Sequence, residues 1–466
     1  MLPIIKTKIV CTIGPSTWDE EKLRDMISHG MSVARVNASF ADAAEIKRVG
    51  RLIRRLSKNV ALLLDTKGHK IRLSEFREPL HLKRGDTFAL DCKPNEKYIW
   101  ITYPLLYQQL EKGAKLLIDD GKVVLNVIGT DGTKIITKVE TGGILTRSKT
   151  VNVIGAKLAF PPLTVKDRRD IHTAIDEGYD FVAISYVRNK DDVFAVNRLT
   201  GRKPLKVISK IECAQGVENI NEIVEHSFGI MIARGDLGVE LPYEQTPLLQ
   251  KSIIKKCNNA GKPVIVATQM LESMIHNPTP TRAEVSDISN AIMDGSDALM
   301  LSAETSTGEY PQESVQAMSR VAKYIESTLE PKVVAENAVA KPSTNAIAEA
   351  VIDICQKLPI AKILVATGSG TTARVITRHN PKQQVIAFTK DEAAMRGLML
   401  TKGVFPALLA QMDSSRGTAV TQIVKQAYKN GFVSKSDMVV VVAGANIRGI
   451  SATNMLEIVQ VKEIVK

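Results

Sequence analysis

Short apolar runs rich in Val, Ile and Leu recur along the chain, each followed by a polar or glycine-bearing loop and then a stretch of helical periodicity. Three fall early: TKIVCTIG near residue 10, SVARVNAS near 35 and VALLLD ending at Asp65. Five more, FVAISY, KVISKI, GIMIAR, PVIVAT and ALMLSA, lie between Phe181 and Ala303. Between them, DEEKLRDMISHG and the segments opening VENINEIV, LLQKSIIKKC and VSDISNAIM place apolar residues at helical spacing. Eight strand-then-helix units with nearly continuous apolar strands predict an α/β fold, a (β/α)8 barrel whose strands are buried on both faces.

The series is interrupted after its third strand. From about 71 to 151 the pattern alternates, in KLLIDD, KVVLNVI and TKIITKV, with turn signals at Asp120-Gly121 and Asp131-Gly132. This predicts an antiparallel all-β insertion, and an insertion after a barrel strand is expected to sit as a lid over the mouth. After about 330 a link containing Pro and Lys precedes a new α/β pattern. Its strands are AKILVAT, QVIAFT and DMVVVVAG, and its helices begin near Ser343, Thr371 and Gly417, which predicts a separate open parallel sheet. The expected domains are a discontinuous barrel (1–70 and 152–330), a lid (71–151) and a C-terminal α/β domain (331–466).

The 466 residues suffice for three such domains. The longest apolar runs, such as MVVVVAGA, are far too short to span a membrane. The N-terminus runs from a short basic start into a strand without the features of a secretory signal, and the five cysteines (Cys11, Cys92, Cys213, Cys257, Cys355) form no CxxC pair, so a cytoplasmic protein is expected. The 62 basic and 50 acidic residues leave a formal charge of +12, which suits nucleic acid, an anionic surface or polyanionic small substrates. Aromatics are only 5% of the chain and no basic run is interleaved with them, which argues against a single-strand or RNA binder.

In barrel enzymes the strand ends at the C-terminal face build the active site, and here polar residues gather at those ends. They are Arg35, Asn37 and Ser39; Asp65, Thr66 and Lys67; Ser185; Lys210 and Glu212; Arg234, Gly235 and Asp236; Thr268; and Ser302 with Glu304. Glu212 and Asp236 close adjacent strands, where two carboxylates suit a hard divalent ion, magnesium being the natural candidate. Ordinary salt bridges are the alternative. Lys210, two residues before Glu212, points the same way by strand alternation, and a cation there would stabilise developing oxyanion or phosphoryl charge. Gly235 and Asp236 are expected in a loop opening a helix, with amides for a carboxylate or phosphate. In the last domain the TGSGTT loop, Thr367 to Thr372, stands before a helix and is either a phosphate site or a structural cap.

At these residues the chain resembles the pyruvate kinases over almost its full length. The strings that carry the resemblance include KIVCTIGPST, VARVNAS, LLLDTKG, IDDGKV, VISKIE, ARGDLGVELP, ATQMLESM, PTRAEVSD, DGSDALMLSAET and TGEYP. The resemblance implies a barrel with an inserted β lid and an α/β C-terminal domain, and transfer of the phosphoryl group of phosphoenolpyruvate to ADP, the last step of glycolysis. It makes Glu212 and Asp236 ligands of Mg2+ (or Mn2+), and Lys210 the cation that stabilises the phosphoryl in flight and the enolate. Gly235, Asp236 and Thr268 would hold the substrate carboxylate. Ser185 joins the substrate-binding set, and Thr268 and Ser302 belong to the proton path. Arg35, Arg72 and the lid residue Lys149 would face the phosphates of ADP, with Asn37 beside the nucleotide. A phosphorylated effector would bind at Thr367, Ser369, Gly370, Thr371 and Thr372, and a homotetramer is implied. No nucleic-acid or membrane partner is expected.

Two departures from the family pattern stand out. The family's Asn-Phe-Ser-His run is Asn37-Ala38-Ser39-Phe40 here, without the histidine. Members with Gly-Pro-Glu after Asp-Thr-Lys need a potassium ion held by residues matching Asn37, Ser39, Asp65 and Thr66, whereas this chain has Gly68-His69-Lys70. Lys70 supplies its own ammonium group in place of the glutamate, so K+ is expected not to be required. A magnesium-dependent aldolase acting on pyruvate would share the barrel, the carboxylates and the lysine. An RNA-binding platform would share only the charge.

Overall fold

In a computed structural model of the chain, which describes residues 5–94, 97–156, 158–201, 205–331, 341–409, 416–444 and 453–465, eight parallel strands close into a barrel. They are Lys8–Thr12, Met31–Asn37, Ala61–Asp65, Phe181–Ile184, Lys206–Ile211, Gly229–Ala233, Val264–Ala267 and Ala298–Leu301. The barrel closes where Lys8–Thr12 pairs with Ala298–Leu301, Cys11 opposite Leu301. Alternate side chains fill its interior, among them Val10, Val33, Leu63, Phe181, Ile208 and Met231. Their neighbours, such as Ile9, Leu62, Val182 and Ile230, pack outward against the helices.

The surrounding helices form because one stripe is apolar and their ends are capped. Ala43–Leu56 buries Ile46, Val49 and Ile53 and is capped by Asp42. Arg282–Asp294 starts with a Thr281–Glu284 capping box. The VENINEIV segment does not make one helix. It breaks at Asn219 into Ala214–Glu218 and Ile220–His226.

The lid is a five-stranded antiparallel sheet of Thr87–Asp91, Lys115–Ile118, Val123–Asp131, Lys134–Thr141 and Val151–Ile154, beside a small pair, Leu80–Leu82 with Gly143–Leu145. Leu90, Leu116, Ile118, Leu125 and Ile135 form its own core. Gly121 and Gly132 take left-handed φ of 86° and 60° at the expected turns, a conformation glycine adopts without a Cβ clash. The last strand straddles the junction read from the sequence at 151/152. Its entry and exit segments touch where His69 stacks on Phe160 with ring centroids 4.8 Å apart.

The C-terminal sheet runs Val404–Leu408, Gln384–Thr389, Ile360–Ala366, Met438–Ala443, Met455–Gln460. Its first four strands are parallel, but Met455–Gln460 pairs antiparallel with Met438–Ala443, which corrects the expectation of an all-parallel sheet. The connection, residues 444–454, is shorter than the roughly dozen residues a parallel crossover takes, so antiparallel is the pairing open to it. The link expected after residue 330 lies largely outside the described residues, as does the very start of the chain. This domain is tied to the end of the barrel where strands begin. Arg396 Nε donates to Asp180 at 2.6 Å and Lys8 Nζ to the Val404 carbonyl at 2.7 Å. Among the described residues no helix is long and apolar enough to cross a membrane.

Candidate active site

Strand ends bring the expected residues together at the opposite, lid-covered end. Lys210 and Glu212 leave the strand Lys206–Ile211 on one face, and the Lys210 ammonium stands 2.8 Å from Glu212 Oε1, 3.0 Å from Asp65 Oδ1 and 2.9 Å from Ser185 Oγ. All four side chains are buried. Burial alone would pull the Lys210 pKa down, but the Asp65 and Glu212 charges outweigh it and the pKa rises above the usual lysine value. The ammonium therefore keeps its proton throughout the physiological range.

Asp65 is the second fixed charge. Burial would raise its pKa, yet Lys210 and Arg35 together hold it below the usual carboxylate value. Arg35 donates through Nε to Asp65 Oδ2 at 2.8 Å and through Nη1 to Thr12 Oγ1 at 2.7 Å, so its guanidinium is oriented by two buried partners. Thr66 Oγ1 accepts the Ser185 amide, and the Ser185 hydroxyl donates to the Thr66 carbonyl at 2.8 Å, which aims that hydroxyl's oxygen at Lys210. Asn37 turns its Oδ1 to the Ser39 amide at 3.1 Å.

Glu212 is pushed the other way. Its pKa is raised first by burial and then by the Asp236 charge, with Lys210 opposing. Its Oε2 accepts the Tyr186 amide at 2.7 Å. A buried acid with a second carboxylate beside it and hard oxygen donors suits a divalent cation, whose charge would offset both terms. Among the described residues no group of three or more His, Cys, Asp or Glu could hold a metal alone, so substrate and water oxygens would have to complete the shell. The ammonium of Lys70 reaches this same place, 3.5 Å from Asp236 Oδ1, while Asp65 is held by Arg35 and Lys210.

Gly235 and Asp236 do not lie in a loop before a helix. The helix Arg234–Glu240 starts at Arg234 itself, so both sit in its first turn. The Gly235 amide donates to Thr268 Oγ1 at 2.8 Å, and that hydroxyl donates to the Ala267 carbonyl at 2.6 Å. Thr268 and Gln269 hold left-handed φ of 68° and 55°. Such strain costs about 1–3 kcal/mol per residue and persists only where the surroundings impose it. Arg234 imposes it here: its Nη2 donates to the carbonyls of Thr268 and Gln269 at 2.6 and 3.0 Å, and Nη1 pairs with Asp287. Ser302 lies at the neighbouring strand end with its Oγ buried and without a hydrogen-bond partner, while its amide donates to Glu304 at 2.6 Å.

The lid residues expected near a nucleotide are held within the lid. Arg72 Nη1 donates to the Ser148 carbonyl at 2.8 Å and Lys149 Nζ to Asp119 at 2.9 Å. Between lid and barrel lies a cavity of about 420 Å³ lined by His69, Asn152, Phe160, Tyr186, Asp236 and Glu240 among others. Of these only Asp236 was singled out as a site residue from the sequence; Asn152, Tyr186 and Glu240 were among those missed. Asn152 acts on both Glu240 and Tyr186, opposing the rise that burial imposes on their pKa values. Burial pushes Glu240 up to about 7. One signal was available: Glu240 follows Asp236 by four residues on a helix and so shares its face.

Remote from this mouth, the TGSGTT loop is partly turned inward. Thr367 Oγ1 accepts the Gly370 amide at 2.9 Å, and the buried Thr372 hydroxyl faces Thr453 at 2.6 Å. Ser369 is exposed, with its Oγ 2.9 Å from Thr371 Oγ1, and Gly370 takes a left-handed φ of 84°.

Comparison with known proteins accords with this arrangement. Family models of the pyruvate kinase barrel domain and the pyruvate kinase alpha/beta domain match residues 4–315 and 345–459. A pyruvate kinase of Geobacillus stearothermophilus is 40% identical over 469 residues, covering 97% of this chain and 80% of the relative. One from Clostridium acetobutylicum is 40% identical over 470 residues, covering 97% and 99%. The crystal structure of a pyruvate kinase from Cryptosporidium parvum superposes with a TM-score of 0.88 at 35% identity, covering 98% of this chain and 96% of that one. With both halves matched and relatives aligned over 97% of its length, the chain belongs to the pyruvate kinase family, the enzymes that pass the phosphoryl group of phosphoenolpyruvate to ADP.

Proposed function

We propose that the barrel mouth carries out this transfer with Lys210 as the central cation and Glu212 and Asp236 as the residues that hold Mg2+ or Mn2+. The family generally uses a divalent metal. When bound, such an ion would neutralise phosphoryl and enolate oxygens as charge moves between them. The chain's own groups supply the rest. Lys210 presents a permanently charged ammonium to the phosphoryl in flight, fixed in place by Asp65, Glu212 and Ser185. Arg35, oriented by Asp65 and Thr12, adds a second cation facing the phosphates. The substrate carboxylate binds at the first turn of Arg234–Glu240, with the amides of Gly235 and Asp236 and the Thr268 hydroxyl. The partnerless Ser302 hydroxyl, with Thr268, passes a proton to the enolate. Arg72 and Lys149 turn to the ADP phosphates when the lid closes, with Asn37 beside the nucleotide.

The proposal extends to a cytoplasmic homotetramer that works without K+, Lys70 serving the role of the ion elsewhere held by Asn37, Ser39, Asp65 and Thr66. A phosphorylated effector binds at the loop Thr367 to Thr372, where exposed Ser369 and the neighbouring Thr371 offer hydroxyls. The observation that carries the catalytic part is the Lys210 ammonium, buried between two carboxylates at 2.8 and 3.0 Å, with the Asp236 charge acting on one of them, Glu212. A coupled assay of pyruvate formation tests it. Turnover should require ADP and a divalent ion and should collapse in Glu212→Gln. ADP-dependent turnover that persists in chelator, or in Glu212→Gln, contradicts the assignment.

A further inference from the structure

Both proposed metal-binding carboxylates are connected to the lid through residues outside the proposed substrate and metal set. Asn152 lies on the lid's last strand, Val151–Ile154, opposite Leu117. Its strand packs against the helix Arg234–Glu240, and its side chain lines the same cavity as Glu240 and Tyr186 and acts on both. Glu240 ends the helix that carries Asp236 in its first turn, and the four-residue spacing puts both carboxyl groups on one face. Glu240 also lines that cavity beside Ala214, two residues beyond Glu212, whose backbone acts on it. Tyr186, with a left-handed φ of 54°, gives its amide to Glu212 Oε2 at 2.7 Å. One lid residue thus reaches Asp236 through the helix, and Glu212 both through the Tyr186 amide and through the Ala214 backbone.

We propose that Asn152, Tyr186 and Glu240 form a latch by which the lid's return strand positions Glu212 and Asp236, so that the divalent-metal affinity of the free enzyme depends on lid contact. The proposal rests on the reading of Glu212 and Asp236 as the metal ligands. Asn152 and Glu240 act as positioning residues. Groups that orient metal ligands from behind change metal affinity by about 10–100-fold when removed. A lid contact that served only to pack the two domains would change thermal stability and leave that affinity alone.

Titration of the substrate-free enzyme with Mn2+, followed by the electron paramagnetic resonance of the unbound ion, tests the latch without reference to turnover. Asn152→Ala and Glu240→Ala should each weaken Mn2+ binding by about 10-fold, near the lower end of that range. The double variant should lose less than the product of the two single losses, because the two share the Asn152–Glu240 contact. Glu240→Gln, whose amide oxygen still accepts hydrogen bonds, should retain most of the affinity and serves if the alanine variants do not fold. Affinity unchanged within about 2-fold in the alanine variants, additive losses in the double variant, or a Glu240→Gln loss as large as that expected of alanine would overturn the latch. Glu212→Gln separates the two claims. If it abolishes binding while Asn152→Ala does not affect it, the metal site stands and the latch falls; if it leaves binding intact, both fall.

Discussion

Replacing Lys210 by methionine keeps most of the side-chain volume and removes the charge. Asp65 would retain Arg35 at 2.8 Å, whereas Glu212 would keep only the Tyr186 amide and would still face Asp236. Breaking a buried ion pair by removing one partner typically costs 3–5 kcal/mol, so a loss of about 4 kcal/mol is expected at pH 8. Glu212, already raised by burial, would rise further and bind a proton in the folded state. Between the unfolded glutamate value of about 4.3 and that raised value, the folded protein then binds more protons than the unfolded one, so stability falls as pH rises. The deficit in Lys210→Met should therefore shrink steadily from pH 8 to pH 5 in urea denaturation. Turnover in the coupled pyruvate assay should drop by about 10³-fold or more, since loss of one preorganised charge-stabilising group costs 10²–10³ and this group serves both phosphoryl and enolate. Turnover within about 10-fold of the parent, or a stability deficit that does not change with pH, would refute the reasoning.

Other perturbations read different parts of the account. The enzyme should keep its activity when tetramethylammonium replaces K+, and Lys70→Glu should introduce K+ stimulation; a strict K+ requirement in the parent would remove Lys70 from that role. Arg234→Met frees the strained Thr268–Gln269 segment, so the KM for phosphoenolpyruvate should rise and kcat fall, both by about 10-fold or more; unchanged kinetics would show that the segment holds itself. Burial lowers Lys8 to about 8 from 10.5. Between those values the unfolded chain binds the extra proton, so stability should increase as pH rises from 8 to 10, and Lys8→Met should flatten that rise in urea midpoints.

The barrel was legible because its strands are short, apolar on both faces and unlike anything around them. Ala61–Asp65 and Gly229–Ala233, for example, are buried at every position. The mouth was legible because a barrel places strand ends together, so Lys210, Glu212, Asp65 and Ser185 could be grouped from position alone. Contacts that depend on how the lid meets the barrel were not. Asn152, Tyr186 and Glu240 come from a lid strand, a strand end and the end of a short helix, and no local pattern joins them. Arg234 was visible as a strand-end residue, but its grip on the Thr268 and Gln269 carbonyls depends on a left-handed bend that neither residue type favours. The antiparallel edge strand Met455–Gln460 was missed because its half-exposed pattern lacks the continuous apolar run of its neighbours. The inward turn of Thr367 and Thr372 was hidden for a similar reason, since hydroxyl residues suit caps and ligand sites equally.

Crystals grown with Mn2+ and phosphoenolpyruvate, and measured at a wavelength where manganese scatters anomalously, address the centre of the account. A peak should appear within coordination distance of carboxylate oxygens from both Glu212 and Asp236, with the Lys210 ammonium against the substrate phosphate. Manganese bound elsewhere, or a phosphate out of reach of Lys210, would contradict it.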